Sequence, residues 1–380
     1  MNYQPTSEQE QMVHSARRMY ANDIEPILRR HPADQPLPKE SAQQILQHFA
    51  KLGLTAARLP EEAGGPGMTM LDYGLIMEQL SPAMLFLLMP QEVTVARIHA
   101  GCTADQRENL LPKLISAEVV ACTATTEPDA GSDPRGIRLK LREDGDQFVL
   151  DGTKMWVSNA TIADVYIVTC RAPNGEIVRV LVDRTESEVK TREIPVTGLK
   201  QCHLGEIVFN GTRVPKVNML GAAGDASRVL TLTWLGNRPL IGLGAVHLAQ
   251  KAFEACVDYA KLRKQFGRAI GGFQLVQERL ADIETAIVTS RLLCYHALQA
   301  VDCGERANGL SAMAKRYSVE ACGRAIQLAM QLHGAMGLSE ELGLERMARD
   351  LRMLSIPDGT PEILTLIQGR EITSIDAIRG

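Results

Sequence analysis

Hydrophobic positions follow two different spacings in three successive regions of the chain. From Ser7 to about residue 119 they recur every three to four residues, the helical period. In "SEQEQMVHSARRMYANDIEPIL" Met12, Ala16, Met19 and Ile24 share roughly one face, with Ser7 as the expected N-cap. "SAQQILQHFAKLGL" repeats the pattern between Ser41 and Gly53, and Met70 to Leu80 forms a further apolar helix after the loop "PEEAGGPGM". Near Val119 the spacing shortens to two. "RGIRLKLREDGDQFVLDG" alternates about Asp144-Gly145, and "VYIVTCRAPNGEIVRVLVD" does so about Asn174-Gly175, both hairpin signatures. "GEIVFNGTRVP" adds another strand, so the middle region reads as a small β-barrel or sandwich. After Met219 three long amphipathic segments, each followed or punctuated by Gly, have the lengths of a helical bundle. The expected organisation is α+β and multidomain: residues 1–119 helical, 120–219 β, and 220–380 a bundle.

Composition narrows the functional classes. The 380 residues suffice for two or three domains with sizeable cores. Net charge is −4 with no strongly basic block, so neither nucleic acid nor an anionic membrane is favoured as a partner. The first residues are polar and periodic, unlike a secretory signal, and the apolar run "MLFLLMP" is far too short to span a bilayer. Eight cysteines are scattered from Cys102 to Cys322 without a C-x-x-C pair, which argues against a zinc site or a disulfide scaffold. The expectation is a soluble protein of a reducing cytoplasm.

Five segments carry the candidate chemistry: "TTEPDAGSD" (125–133), "KMWVSN" (154–159), "RKQFGRAIGGFQ" (263–274), "QLHGAMG" (331–337) and "RDLRMLSIPDGTPEI" (349–363). In this order and approximate spacing they resemble the acyl-CoA dehydrogenase flavoprotein family, and the resemblance covers essentially the whole chain. It implies an N-terminal helical domain, a middle β domain and a C-terminal four-helix bundle. It also implies FAD as cofactor, an acyl-CoA thioester as substrate, electron-transfer flavoprotein as acceptor, and a homotetramer.

Each segment also has a plainer reading. The acids of "TTEPDAGSD" could mark a calcium loop. One begun at Asp129 would put Pro134 where the sixth-position glycine belongs and Lys140 where the twelfth-position glutamate belongs, so no metal is expected. The resemblance instead gives Thr126 and nearby backbone amides to the flavin, and Ser132 to both cofactor and CoA substrate; Gly131 would permit close approach. Trp156, one of two tryptophans, would on composition alone be core. The resemblance lays Trp156, Val157 and Ser158 along the isoalloxazine ring. Arg263 could simply complement a helix dipole, although guanidinium groups also suit pyrophosphate. By resemblance Arg263, Phe266 and Gln274 bind the diphosphate and adenosine parts of FAD in a neighbouring subunit, and Gln331, His333, Gly334 and Ala335 contact the cofactor, chiefly through backbone approach at Gly334. His333 itself reads as structural. Thr360 and Glu362 are implied on the cofactor, and Arg238 and Gly359, with Ser132, on the substrate. Leu235 stands where relatives often carry Asp. Asn237 occupies a position that holds the base in isovaleryl-CoA dehydrogenase-like relatives, and it cannot take a proton.

In "SIPDGTPEIL", Pro357-Asp358-Gly359 is a turn and Thr360-Pro361 a helix start. The resemblance makes Asp358 the catalytic base that removes the α-proton while the β-hydrogen leaves as hydride to flavin N5. Most relatives have Glu here. Asp shortens the arm by one methylene, roughly 1.5 Å, so the base needs a shifted backbone or a substrate whose α-carbon lies closer. Dehydrogenases of alicyclic acyl-CoAs resemble this Asp pattern, and that resemblance implies a ring-bearing or branched acyl group. Nitroalkane oxidases also use Asp but expect Arg seven residues later, where this chain has Thr365. A flavin oxidase, a desaturase of carrier-protein thioesters and a non-catalytic subunit of a hetero-oligomer remain open on the sequence.

Overall fold

The computed structural model describes residues 5–221 and 226–377. The outer ends of the first and third expected domains, residues 1–4 and 378–380, lie outside the described residues, as does the stretch 222–225 just past the expected boundary.

Helices α1 (Ser7–Met19), α2 (Glu25–Leu28), α3 (Lys39–Lys51), α4 (Met70–Met77), α5 (Pro82–Gly101), α6 (Ala104–Asn109) and α7 (Leu111–Ile115) form the first unit. Thr6 rather than Ser7 caps α1: its side chain accepts from Gln9 N and the Gln9 side chain returns to the Thr6 backbone, a reciprocal capping box. A π-turn over Tyr20–Ile24 lets Ile24 stay on the buried side with Ala16 and Met19. Ser41 lies inside the first turn of α3, where its hydroxyl meets His31 Nε2 at 2.9 Å.

The middle unit is a curled seven-stranded sheet of β1 (Ala121–Ala124), β2 (Lys140–Asp144), β3 (Gln147–Ser158), β4 (Val165–Arg171), β5 (Ile177–Asp183), β6 (Lys190–Glu193) and β7 (Leu204–Pro215). Both expected hairpins form, with β2 antiparallel to β3 and β4 antiparallel to β5, while β1 runs parallel to β4. β4 is buried on both faces, which explains its unbroken apolar run "VYIVTC". Tyr166 and Val168 face the sheet's own core, whereas Val165 and Ile167 pack with Val95 and Ile98 of α5.

After the two-stranded hairpin β8 (Lys264–Gln265) and β9 (Arg268–Ala269), the last unit continues the bundle begun by α8 (Ala226–Leu262). It comprises α9 (Gln274–Asp302), α10 (Asn308–His333), the crossing α11 (Leu344–Leu354) and α12 (Pro361–Thr373). The stretch Thr233–Leu262 is long and apolar enough to cross a membrane by composition, but 61% of its most apolar window is buried inside the protein, where it forms the bundle core.

Polar ties fix the three units to one another. Asp350 accepts from Leu199 N at 2.6 Å, and Gly198 is required because a Cβ there would meet Arg349 O at 2.4 Å. Gln91, fully buried on α5, donates to Leu114 O and Val119 O and accepts from Ala121 N at 2.7 Å. One carboxamide therefore satisfies three backbone groups where the first unit becomes the second. Gln91→Ala is expected to lower unfolding free energy by about 2–4 kcal/mol, since each orphaned buried polar group costs about 1–3 kcal/mol. Denaturant unfolding of the purified protein measures it, and a loss well under about 1 kcal/mol would mean the tie is redundant.

Candidate active site

Two clusters of the expected site residues form around backbone that the protein holds in unusual conformations. The first lies on the sheet. Between Lys154 and Val157 the β3–β7 register shifts, and Trp156 there adopts φ 60 with half its surface exposed. A β-bulge re-aims a side chain in this way. Without it the indole would follow strand alternation. Val157 points into the sheet core, 3% exposed, so only its backbone can face a ligand. Met155 N donates to Thr126 O at 2.9 Å, which seats the "TTEPDAGSD" loop beside Trp156.

That loop is anchored from below by a buried ion pair. Lys154 Nζ donates to Glu127 Oε1 and to Thr125 O, both at 2.8 Å. Glu127 also accepts from the backbone N–H of Arg138 and Leu139. Burial alone would raise the Glu127 carboxyl, but these bonds outweigh it and hold its pKa below the ordinary value; burial draws Lys154 downward. The remaining acids of the loop are engaged too, Asp133 by Arg135 N and Asp129 by Arg138. A Cβ on Gly131 would make only an ordinary contact, 3.8 Å from Thr126 Cγ2. Packing within the chain therefore does not require glycine at 131, and close approach of a ligand remains its use. Ser132 is exposed at the rim.

The second cluster surrounds Asp358. Asp358 adopts φ 54, a left-handed conformation that short polar side chains tolerate best, and Gly359 follows at φ 115. At Gly359 the backbone conformation favours glycine, and a Cβ would also come within 3.0 Å of Leu364 Cδ2. Thr360 caps α12 as the sequence implies, accepting from Ile363 N, and Glu362 is exposed in the first turn. Three consecutive carbonyls of this turn are held by buried cations. Lys315 Nζ donates to Pro357 O and, at 2.7 Å, to Gly359 O, while Arg238 Nε donates to Asp358 O at 2.9 Å.

Arg238, implied on the substrate by the resemblance, is bonded to the turn that carries Asp358. It is 3% exposed, its Nη1 donates to Asn308 Oδ1, and it lies over the Trp234 ring, so its donors position the turn. Burial lowers the Arg238 pKa to about 10 and that of Lys315 to about 7, with Asp358 opposing both shifts. Arg97, on α5, is also buried, and its charge interacts with Asp358; burial followed by repulsion from Arg179 brings it to about 10. Asn237 is buried on α8 one residue before Arg238, and Leu235 contributes its carbonyl to Ser311 Oγ at 2.7 Å.

The other expected residues sit at one end of the bundle. Arg263, Phe266 and Gln274 are exposed on and beside the β8–β9 hairpin, with Phe266 94% exposed at φ 50. Gln331, Gly334 and Ala335 are exposed at the end of α10, where Gly334 has φ 60 and open space at its Cβ position. The His333 side chain is not available to a cofactor. It is 3% exposed, bonded to Ala329 O and stacked 4.5 Å from Tyr259, so it pins α10 to α8. Among the described residues no hydrogen bond or ion pair joins this end to the Trp156 or Asp358 clusters. A groove of about 780 Å³ between α10, α11 and α12, walled by Val319, Ile326, Leu351 and Leu364, reaches Lys315 and Ser355 behind the turn; its lining does not include Asp358.

Lys315, Arg97 and the Lys154–Glu127 pair escaped the reading of the sequence. A signal for Lys315 was present: Ser311, Lys315, Ser318 and Cys322 share one face of α10, so a lysine stands on a stripe of otherwise small residues.

The surface fits a flat aromatic cofactor: a half-exposed indole on a bulge, a braced loop of small residues, and open glycine positions. Sequence comparison agrees. Models of the acyl-CoA dehydrogenase N-terminal, middle and C-terminal domains match residues 6–118, 122–212 and 228–373. The chain is 31% identical to a "3-(aryl)acrylate reductase" of Clostridium sporogenes, covering 95% of this chain and 97% of that one. It is 31% identical to the probable acyl-CoA dehydrogenase YngJ of Bacillus subtilis over 98% of this chain and all of that one. It is 29% identical to the caffeyl-CoA reductase–Etf complex subunit CarC of Acetobacterium woodii, over 86% and 89%. Among solved structures, glutaryl-CoA dehydrogenase of Mycobacterium smegmatis superposes with a TM-score of 0.89 at 30% identity, covering 99% and 97%. An FAD complex of PigA superposes at 0.90 with 26% identity, covering 98% and 99%. The chain belongs to the acyl-CoA dehydrogenase family and is an FAD-dependent oxidoreductase.

Proposed function

We propose that this chain desaturates an acyl-CoA thioester between its α- and β-carbons, with the Asp358 carboxylate as the base that takes the α-proton. The observation that carries the reading is the turn itself. Asp358 is the one acid in a left-handed turn whose three carbonyls are held by Lys315 and Arg238, beside the buried Arg97. A carboxylate so positioned acts by general base catalysis, worth about 10²–10⁴-fold in rate. FAD, when bound, supplies the acceptor for the β-hydrogen and its electron pair. Trp156, Ser158 and the Thr126 loop would hold the flavin, with Lys154 and Glu127 bracing that loop, and Ser132 at the rim would meet the CoA portion. Thr360 and Glu362, at the start of α12, would contact the same cofactor.

The shorter arm of Asp favours substrates whose α-carbon lies close to the turn, such as ring-bearing or branched acyl groups. The exposed Phe266, Leu262 and Leu275 at the bundle end fit contact with a second copy, consistent with Arg263 and Gln274 completing the cofactor site of a neighbouring subunit in a homotetramer. Electron-transfer flavoprotein is the proposed acceptor; a relative named as part of an Etf complex supports it.

Asp358→Asn tests the base. Turnover is expected to fall about 10²–10⁴-fold while the protein stays yellow, and full turnover in anaerobic flavin-bleaching assays would remove Asp358 from this role. Lys315→Met tests the positioning. The turn should loosen and kcat should drop about 10²-fold, with flavin content and the absorption spectrum unchanged. A pH readout separates this from a general packing defect. Because burial holds Lys315 near 7 in the fold and an unfolded lysine titrates near 10.5, the unfolded chain binds more protons across that window. Wild-type stability should therefore rise relative to Lys315→Met as pH goes from about 7 towards 10, and the gain should disappear below about 7.

A further inference from the structure

Behind Asp358 the interior is polar where aliphatic side chains would fill it more simply. Arg58 donates from Nε to Glu92 Oε1 at 2.7 Å and from Nη2 to Glu92 Oε2, with Glu92 only 1% exposed. This fork satisfies the glutamate, so the Arg58–Glu92 pair is closed. Two neighbouring donors are not satisfied. The Tyr73 hydroxyl on α4 and Arg97 Nε on α5 are both buried and have no hydrogen-bond partner among the described residues. Both interact electrostatically with the same Arg58–Glu92 pair. Arg97 reaches α8 through Nη2, which donates to Thr233 Oγ1 at 3.0 Å, one helical turn before Asn237 and Arg238. Arg58 approaches α8 as well: a Cβ on Gly236 would lie 3.9 Å from its Nη1. These groups converge on the part of α8 that holds the Asp358 turn.

A buried donor left without a partner costs about 1–3 kcal/mol, more when it is charged. Two such donors beside one Arg58–Glu92 pair, with the full positive charge of Arg97 on one of them, are a poor core and a good receptor. Arg97 additionally suffers repulsion from Arg179, which a ligand anion would relieve. Both orphans, an arginine N–H and a phenol O–H, offer protons to an acceptor. Arg97 has a second conceivable task, to stabilise the Asp358 carboxylate, since their charges interact. That role would leave the Tyr73 hydroxyl unexplained.

We propose that Arg97 and Tyr73 form a recognition site for a carboxylate on the acyl group, so that the preferred substrate is the mono-CoA thioester of a dicarboxylic acid. The site rests on the acyl-thioester reading above and determines specificity within it. Arg97 contributes charge and Nε–H to one carboxylate oxygen, and Tyr73 a hydroxyl to the carboxylate. The Arg58–Glu92 pair keeps Arg97 from collapsing onto Glu92, because that glutamate is already bound in a bidentate fork. The acyl chain then runs between this anchor and the CoA end, past Asp358.

The test compares kcat/KM for mono-CoA thioesters of straight-chain, branched and ring-bearing dicarboxylic acids with their methyl-ended counterparts of the same carbon skeleton, using the FAD-loaded enzyme. Wild type should favour the carboxylate series by about 10⁴-fold, the discrimination a site built to bond a polar group shows against an analogue that lacks it. Arg97→Met should collapse that ratio towards one, Arg97→Lys should restore part of it, and Tyr73→Phe should lower it by about 10-fold. If Arg97→Met slows both series equally, Arg97 serves Asp358 and the proposal is overturned. No preference in wild type overturns it as well, whether or not the variants fold. Failure of both series to bleach the flavin would count against acyl-thioester desaturation itself, an outcome distinct from bleaching without preference.

Discussion

Three consecutive backbone carbonyls, at Pro357, Asp358 and Gly359, each accept a hydrogen bond from a buried cation, and the geometry of the candidate site depends on that arrangement. A left-handed residue followed by a glycine is a conformation the chain would not hold by itself, since it lies in a sparsely populated region of backbone space. Arg238 from α8 and Lys315 from α10 fix it from two directions. Both cations are almost fully buried, and the charge of Asp358 offsets only part of their desolvation, which still lowers both pKa values. The turn, the bundle core and the acid are thus one electrostatic unit: removing any cation leaves carbonyls unpaired and frees the acid to move.

The same logic recurs on the sheet. Lys154, fully buried, links Glu127 and Thr125, and the bulge beyond it turns Trp156 outward. Each surface that faces the proposed ligands is small, irregular and exposed, while the residues that hold it are charged and buried. Gln91, Asp350 and Asn159 extend this pattern to the joins between units; Asn159, for example, donates to Leu87 O at 2.9 Å across the boundary of α5 and the sheet. Catalytic placement to within about 1 Å needs rigid support of this kind.

Much of the fold was legible because its signals are local. Period-2 and period-3.6 spacing separated the three units, and the Asp144-Gly145 and Asn174-Gly175 turns marked the two hairpins that form. Thr360 and Pro361 announced the start of α12 correctly. The errors were local as well. Ser7 and Ser41 look like caps, but Thr6 has Gln9 in register for a reciprocal pair, and α3 begins earlier, at Lys39. Arg238 was implied on the substrate by family resemblance; its partners in the fold, Asn308 and the Asp358 carbonyl, lie 70 and 120 residues away and could not be read from the sequence.

The sequence by itself determined the order of the three units, the family to which the chain belongs, and the identity of Asp358 as the acid in the turn. These follow from spacing and from short contiguous segments, which a linear reading can see. Tertiary structure alone decided which cations surround that acid, which groups His333 packs against, and that Arg97 Nε and the Tyr73 hydroxyl lack a hydrogen-bond partner among the described residues beside a closed Arg58–Glu92 pair. The physical reason is that the worth of a charge is set by desolvation and by partners from distant segments. Neither is defined until helices α4, α5, α8 and α10 have packed.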